Sequence, residues 1–166
     1  MNYNIKKLNR EHLDSVIKTI NKSPFFMYMS MMVTELDIGF AKVVMNIGEK
    51  HMNPFGGVHG GVYSSAIDTA AYWSAYCDLP EDQGLISIDL KIDFLSPVTD
   101  KKVFVIGNRI KTGKSIYLAE AKMTNENGKL LGHGTSKLMV CRNKQTINDA
   151  VKYVCEDKLP QKYITV

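Results

Sequence analysis

The sequence predicts an α+β domain in which one central helix is buried by a curved antiparallel sheet. Three observations carry that expectation. Residues 62–77 contain no glycine or proline and spread Ala66, Ile67, Ala70, Ala71, Tyr72 and Trp73 around a helical circumference, and a helix apolar nearly all round is a buried one. Residues 86–94 alternate, with Ile86, Ile88, Leu90, Ile92 and Phe94 on one expected face and Ser87, Asp89, Lys91 and Asp93 on the other, the period of a half-buried strand. Three further strands, 102–111, 115–124 and 129–141, are joined by Thr112-Gly113-Lys114 and Asn125-Glu126-Asn127-Gly128. Such short glycine-containing connections favour antiparallel hairpins. A single sheet buries a long helix only by curling around it.

The remaining elements follow in chain order. Leu13, Val16, Ile17 and Ile20 fall at helical spacing within 10–22, and Ser23-Pro24 stops that helix. Residues 25–32, FFMYMSMM, are dense in methionine and aromatic side chains, which fill core or line a pocket. From Met32 to Ile47 the pattern is β-like, with Asp37-Ile38-Gly39 as a turn. HMNPFGGVHGG, 51–61, is a loop leading into the central helix, and the tail from Arg142 has helical potential around 146–155 without an evident site. The expected organisation is an N-terminal helical extension over 1–31, one domain over 32–141 and a C-terminal tail over 142–166.

Composition narrows the function classes. With 166 residues, 45% hydrophobic and 23% charged, the chain suits one globular domain. No run of 18 or more apolar residues suggests a membrane span, and the N-terminus lacks the apolar core of a secretory signal, so a cytoplasmic protein is expected. Cys77, Cys141 and Cys155 are odd in number and widely spaced, which predicts reduced thiols rather than a disulfide framework. The net charge of +4 is scattered. It would attract an anionic ligand, but it lacks the clustered basic and aromatic pattern of a nucleic-acid surface.

Two features point to chemistry. Asp68 sits mid-helix among apolar neighbours, and no lysine or arginine occurs between Lys50 and Lys91. An ionised carboxylate avoids such surroundings unless it is hydrogen-bonded. Asp68 is thus either a structural carboxylate, at a solvent-filled gap or capped by Ser64 or Ser65, or one whose basicity is raised by burial for acid–base or nucleophilic work. Val58-His59-Gly60-Gly61 stands at the head of the same helix. Free N–H groups at a helix N-terminus attract negative charge, and those at Gly60 and Gly61 would suit a developing oxyanion. A glycine loop without function is the alternative. Eight residues separate Gly60 from Asp68, roughly 12 Å of helical rise. One helix therefore does not bring both to one carbonyl, whereas two subunits would. His51, His59 and His133 lack a metal-ligand spacing, so no metal is expected.

The segment HMNPFGGVHGGVYSSAID resembles the signature of hotdog-fold acyl-CoA thioesterases of the PaaI type, part of the 4-hydroxybenzoyl-CoA thioesterase-like superfamily. That signature is H-x-N, then HGG, then an acid nine positions after the histidine. ISIDLKIDFLSPV, KTGKS and ENGKLLGHGTSKLMV resemble the family's following strands in order, over roughly residues 32–141. The resemblance implies a hotdog fold and hydrolysis of an acyl-CoA, with coenzyme A entering as part of the substrate and no further cofactor. It implies Asp68 as general base or nucleophile and the Gly60 N–H as carbonyl donor. Asn53 and Ser87 would place the carbonyl or water, and His59 would have a supporting role. Gly61, Lys111 and Lys114 would contact the coenzyme A portion. It further implies a homodimer assembling to a tetramer. Two alternatives stand beside it: a hotdog hydratase or dehydratase, whose His-with-Asp/Glu motifs are not seen here, and a non-catalytic acyl-CoA sensor, which would not need the acid at 68.

Overall fold

In the computed structural model, residues 6–154 and 158–165 are described; Cys155 lies outside them. The elements run β1 (Lys6–Leu8), α1 (Arg10–Ile20), α2 (Pro24–Tyr28), β2 (Met31–Asp37), β3 (Phe40–Asn46), α3 (Gly60–Ser74), β4 (Gln83–Phe94), β5 (Lys102–Lys111), β6 (Ile116–Thr124), β7 (Leu130–Arg142), α4 (Ile147–Tyr153) and β8 (Tyr163–Thr165). Six strands form one antiparallel sheet in the order β2-β3-β5-β6-β7-β4, with α3 packed against it. This is the α+β hotdog arrangement expected from the sequence.

Small side chains let α3 sit close to the sheet. Ala66, Ile67, Ala70 and Ala71 are fully buried. Opposite them, a Cβ at Gly107 would overlap the Ala70 carbonyl, and one at Gly134 would press on Ile67 and Ile92. The helix begins at Gly60, two residues before the glycine-free stretch, because His59 caps it: the Gly61 N–H donates to His59 Nδ1 at 2.8 Å. It ends at Ser74 and continues as a 3-10 turn over Tyr76–Asp78.

Two expectations are corrected. Residues 86–94 do not alternate on one register, because the pairing of β4 with β7 slips between Ser87 and Asp89 and leaves Ile88 as a bulge. Before the bulge, Leu85 and Ser87 lie opposite Val140 and Leu138; after it, Leu90, Ile92 and Phe94 lie opposite Ser136, Gly134 and Gly132. An extra residue reverses the side-chain parity. Ser87 therefore shares the helix-facing side with Leu90, while Ile86 and Ile88 do not. The central helix is also not buried all round, since Ser64, Ser65, Asp68, Tyr72 and Trp73 are only half-buried.

The chain ends close over the C-terminal end of α3. Lys162 is buried, donating from Nζ to the carbonyls of Tyr76 at 3.0 Å and Leu79 at 2.6 Å, with the Tyr76 ring 4.4 Å away. His12 is buried between Pro160 O, 2.7 Å from Nδ1, and Tyr76 Oη, 2.6 Å from Nε2. A carbonyl only accepts, so Nδ1 donates and the neutral ring takes the Tyr76 proton at Nε2. Burial holds the His12 imidazole below its ordinary range. Cys77, also buried, is pushed up to about 12 by burial, which keeps it an inert thiol. Cys77 and Cys141 are both free. No helix among the described residues is long and apolar enough to cross a membrane.

Candidate active site

Asp68 projects from the half-buried face of α3 toward β4. The Ser87 hydroxyl donates to its Oδ1 at 3.0 Å. A second hydroxyl, Ser136 of β7, neighbours the carboxylate and also donates to the Asp89 carbonyl at 3.1 Å. One hydroxyl proton serves only one acceptor at a time, so Ser87 is the firm partner. Among the described residues no ion pair reaches Asp68. Burial pushes its carboxyl above the ordinary carboxylate range, and the serine hydrogen bonds offset part of that rise. Ser64 and Ser65 do not cap it; their hydroxyls donate one turn back, to Gly60 O and Gly61 O.

The bulge at Ile88 is what delivers Ser87 to this face. Ser136 was readable in principle: Gly132, Gly134 and Ser136 occupy successive inward positions of β7, and a polar residue in that series faces the helix. The opposite, outward face carries the Lys137–Asp89 ion pair at 2.6 Å.

At the other end of α3, the Gly60 N–H makes no hydrogen bond among the described residues and remains a donor at the positive end of the helix. Gly61 departs from expectation, because its N–H is held by His59 and is not a second free donor. His59 thereby acts as the helix cap. Asn53 folds the preceding loop, its Oδ1 accepting from Phe55 N at 2.9 Å and Gly57 N at 3.1 Å. Its amide Nδ2 is not used in these bonds. Gly60 and Asp68 lie eight residues apart on one straight element, so a single chain does not converge them. Lys111 and Lys114 are exposed at the β5–β6 connection and form no ion pair with the residues above.

His51 is buried, accepting from Gly48 N at 2.9 Å and lying 2.9 Å from Met29 O, which ties the loop to α2. His133 pairs with Glu120 at 3.0 Å. No group of three or more His, Cys, Asp or Glu among the described residues is placed to hold a metal ion.

A cavity of about 900 Å³ opens beside Asp68. It runs along Ser65, Asp68, Tyr72 and Tyr76 of α3 and its 3-10 extension, and its other walls come from α1, α2 and the segment 143–154. Trp73 and Tyr76 line it as well. Of these outer walls, α2 falls in the 25–32 stretch offered as pocket lining or core, whereas those from α1 and 143–154 were not apparent from the sequence.

Residues 55–131 match the family model described as the thioesterase superfamily. Acyl-coenzyme A thioesterase 13 of Mus musculus is 27% identical over 128 residues, covering 75% of this chain and 91% of that protein. The 1,4-dihydroxy-2-naphthoyl-CoA hydrolase of Listeria monocytogenes is 29% identical over 99 residues, 60% of this chain and 80% of that one. Among solved structures, a thioesterase from Haemophilus influenzae superposes with a TM-score of 0.73 at 20% identity, covering 80% of this chain and 92% of that one. Residues 55–131, within the hotdog domain, thus match the thioesterase superfamily.

Proposed function

We propose that the protein hydrolyses an acyl-CoA thioester, with Asp68 as the group that activates water or attacks directly. The observation that supports this reading most is the Asp68 carboxylate itself. It is half-buried, held by a serine hydroxyl instead of a cation, raised in basicity by burial, and set in the lining of a cavity. A base poised nearer neutrality transfers protons most effectively. In the water route, Asp68 takes a proton as the water oxygen bonds to the thioester carbon, and the carbonyl electrons collect on oxygen. The Gly60 N–H stabilises that oxyanion. Collapse breaks the C–S bond, and the sulfur leaves as thiolate and takes up a proton, giving free acid and coenzyme A. Ser87 orients the carboxylate, and the Asn53 amide places the carbonyl or water.

Because Gly60 and Asp68 stand apart on one helix, the complete site joins Asp68 of one subunit to Gly60 and Asn53 of the partner subunit in a homodimer that assembles further to a tetramer. Lys111 and Lys114 meet the phosphates of coenzyme A. No metal or further cofactor enters this scheme. Asp68→Asn tests it: thioester hydrolysis, followed with a thiol reagent, should fall at least about 10²-fold, the contribution of a positioned acid–base group. Turnover near the parent rate in the folded variant would overturn the mechanism.

A further inference from the structure

The cavity beside Asp68 is larger than a short acyl group needs, and much of its wall comes from outside the segment that matches the thioesterase family. Ile20, Phe25 and Phe26 approach from α1 and α2; Ile147, Ala150 and Tyr153 approach from α4. The floor is the aromatic row Tyr72, Trp73 and Tyr76. Cavities of this size bury most of a drug-sized ligand. Polar residues of 143–146 and Asp149 also border the cavity, but the aromatic and aliphatic stretch from α1, α2, α3 and α4 favours an apolar occupant.

The C-terminal wall is built into the fold rather than laid across it. The 143–145 turn sits on the start of β4, where a Cβ at Gly84 would overlap the backbone carbonyls of Gln145 and Lys144. The Asn143 N–H donates to Asp82 O at 2.7 Å. Asn143 and Gln145 both hold left-handed backbone, with φ of 54° and 55°, conformations that persist at non-glycine residues only where the surroundings impose them. Thr146 and Asp149 then cap α4 reciprocally, with Asp149 Oδ2 accepting from Thr146 N and Oγ1, both at 2.9 Å. On the opposite wall the buried Ser23 hydroxyl has no hydrogen-bond partner among the described residues.

We infer that the ends of the chain, 19–26 and 143–154, form the acyl-binding pocket and select a bulky apolar acyl group, a long alkyl chain or a fused ring system, over a short one. The inference rests on the reading of Asp68 as the catalytic carboxylate, which places the thioester carbonyl beside Asp68 in the cavity lining, with its acyl group within the cavity. Selectivity then resides in α4 and α2, not in the catalytic residues, and Ala150 marks where added volume would block the pocket.

The test uses non-hydrolysable thioethers, so that occupancy is read apart from turnover. S-dodecyl-CoA, S-(naphthylmethyl)-CoA and S-ethyl-CoA are titrated by calorimetry into the full-length protein. Trp73 is the sole tryptophan, so its emission reports occupancy for the dodecyl compound. At least one bulky thioether should bind about 10-fold or more tightly than S-ethyl-CoA, and the tighter of the two identifies the class. Ala150→Phe should weaken bulky binding by about 10-fold while leaving S-ethyl-CoA within about twofold. Tyr153→Ala, at a residue 71% exposed and so harmless to folding, should weaken the bulky ligand alone by several-fold. Equal affinities across the three thioethers, an unaltered Trp73 emission, or bulky binding indifferent to both variants would overturn the inference. If the binding pattern holds while no acyl-CoA is hydrolysed, the hydrolase reading fails and the acyl pocket stands. If hydrolysis depends on Asp68 but the variants change nothing, the pocket alone is wrong.

Discussion

At Asp68, two demands pull in opposite directions. A base must be ionised to accept a proton, yet burial on the inner side of α3 favours the protonated carboxyl. Activity should therefore rise with pH as Asp68 ionises, at a pH above the ordinary carboxylate range, and then level off. Stability should run the other way. A carboxyl whose folded value is raised above its unfolded one contributes most at low pH, and that contribution is lost as pH rises through the folded value. Asp68→Asn does not ionise and still accepts from Ser87. It should melt higher than the parent at neutral pH, and the gain should vanish near pH ~4, where the parent carboxyl is also protonated. Melting curves at the two pH values, set beside a pH–rate profile of the parent, check both halves. A variant less stable than the parent at neutral pH would show Asp68 to be a structural carboxylate.

Contact between the central helix and its sheet depends on glycine where the two backbones meet. Gly107 on β5 faces the Ala70 carbonyl so closely that no Cβ fits between them. Gly107→Ala should lose about 1–3 kcal/mol or more, the cost of overpacking a closed core, read as a lower urea midpoint at unchanged slope. An unchanged midpoint would mean that α3 sits farther from β5 than the structure places it. The same elements show what a sequence reveals. The helix was legible because its alanines leave it apolar around most of its circumference, and the hairpins because glycine marks their turns. The face of β4 was misread, since alternation from Ile86 to Phe94 matches a continuous strand and a bulge leaves the spacing of apolar residues untouched. Ser87 was found by family resemblance, whereas its position came from that bulge. Of the cavity walls, the methionine and aromatic residues of 25–32 offered α2 as pocket lining or core, whereas the 143–154 wall was not legible, because it lies over a hundred residues away and joins the cavity only through packing.

On the scale of the whole molecule, the two ends of the chain and the end of α3 form one hydrogen-bonded unit through His12, Tyr76 and Lys162. Burial lowers the folded value of His12, so the unfolded chain binds its proton first. Stability should fall as pH drops below the ordinary imidazole value of 6.5. His12→Gln removes the titration and should flatten that part of the stability curve between pH ~7 and ~5 in urea unfolding. An equally steep decline in the variant would assign the acid sensitivity to another group.

Among the described residues the sheet has open edges at β2 and β4, and β4 carries the long unpaired edge, twelve residues from Gln83 to Phe94, with Ile88 half exposed. Unpaired N–H and C=O groups along such an edge invite a second strand. The proposed mechanism asks for the same thing: Gly60 and Asp68 are about 12 Å apart along α3, so the proposed carbonyl donor and base would meet only across a subunit boundary. A lysine on that edge discourages strand pairing without disturbing the core. Ile88→Lys should shift the protein toward monomer in light scattering, keep the far-ultraviolet spectrum of the parent, and lower kcat/KM by at least about 10²-fold, as expected when reacting groups lose their relative placement. A monodisperse monomer with the activity of the parent would show that each chain holds a complete site, and the pairing of Asp68 with Gly60 across subunits would have to be abandoned.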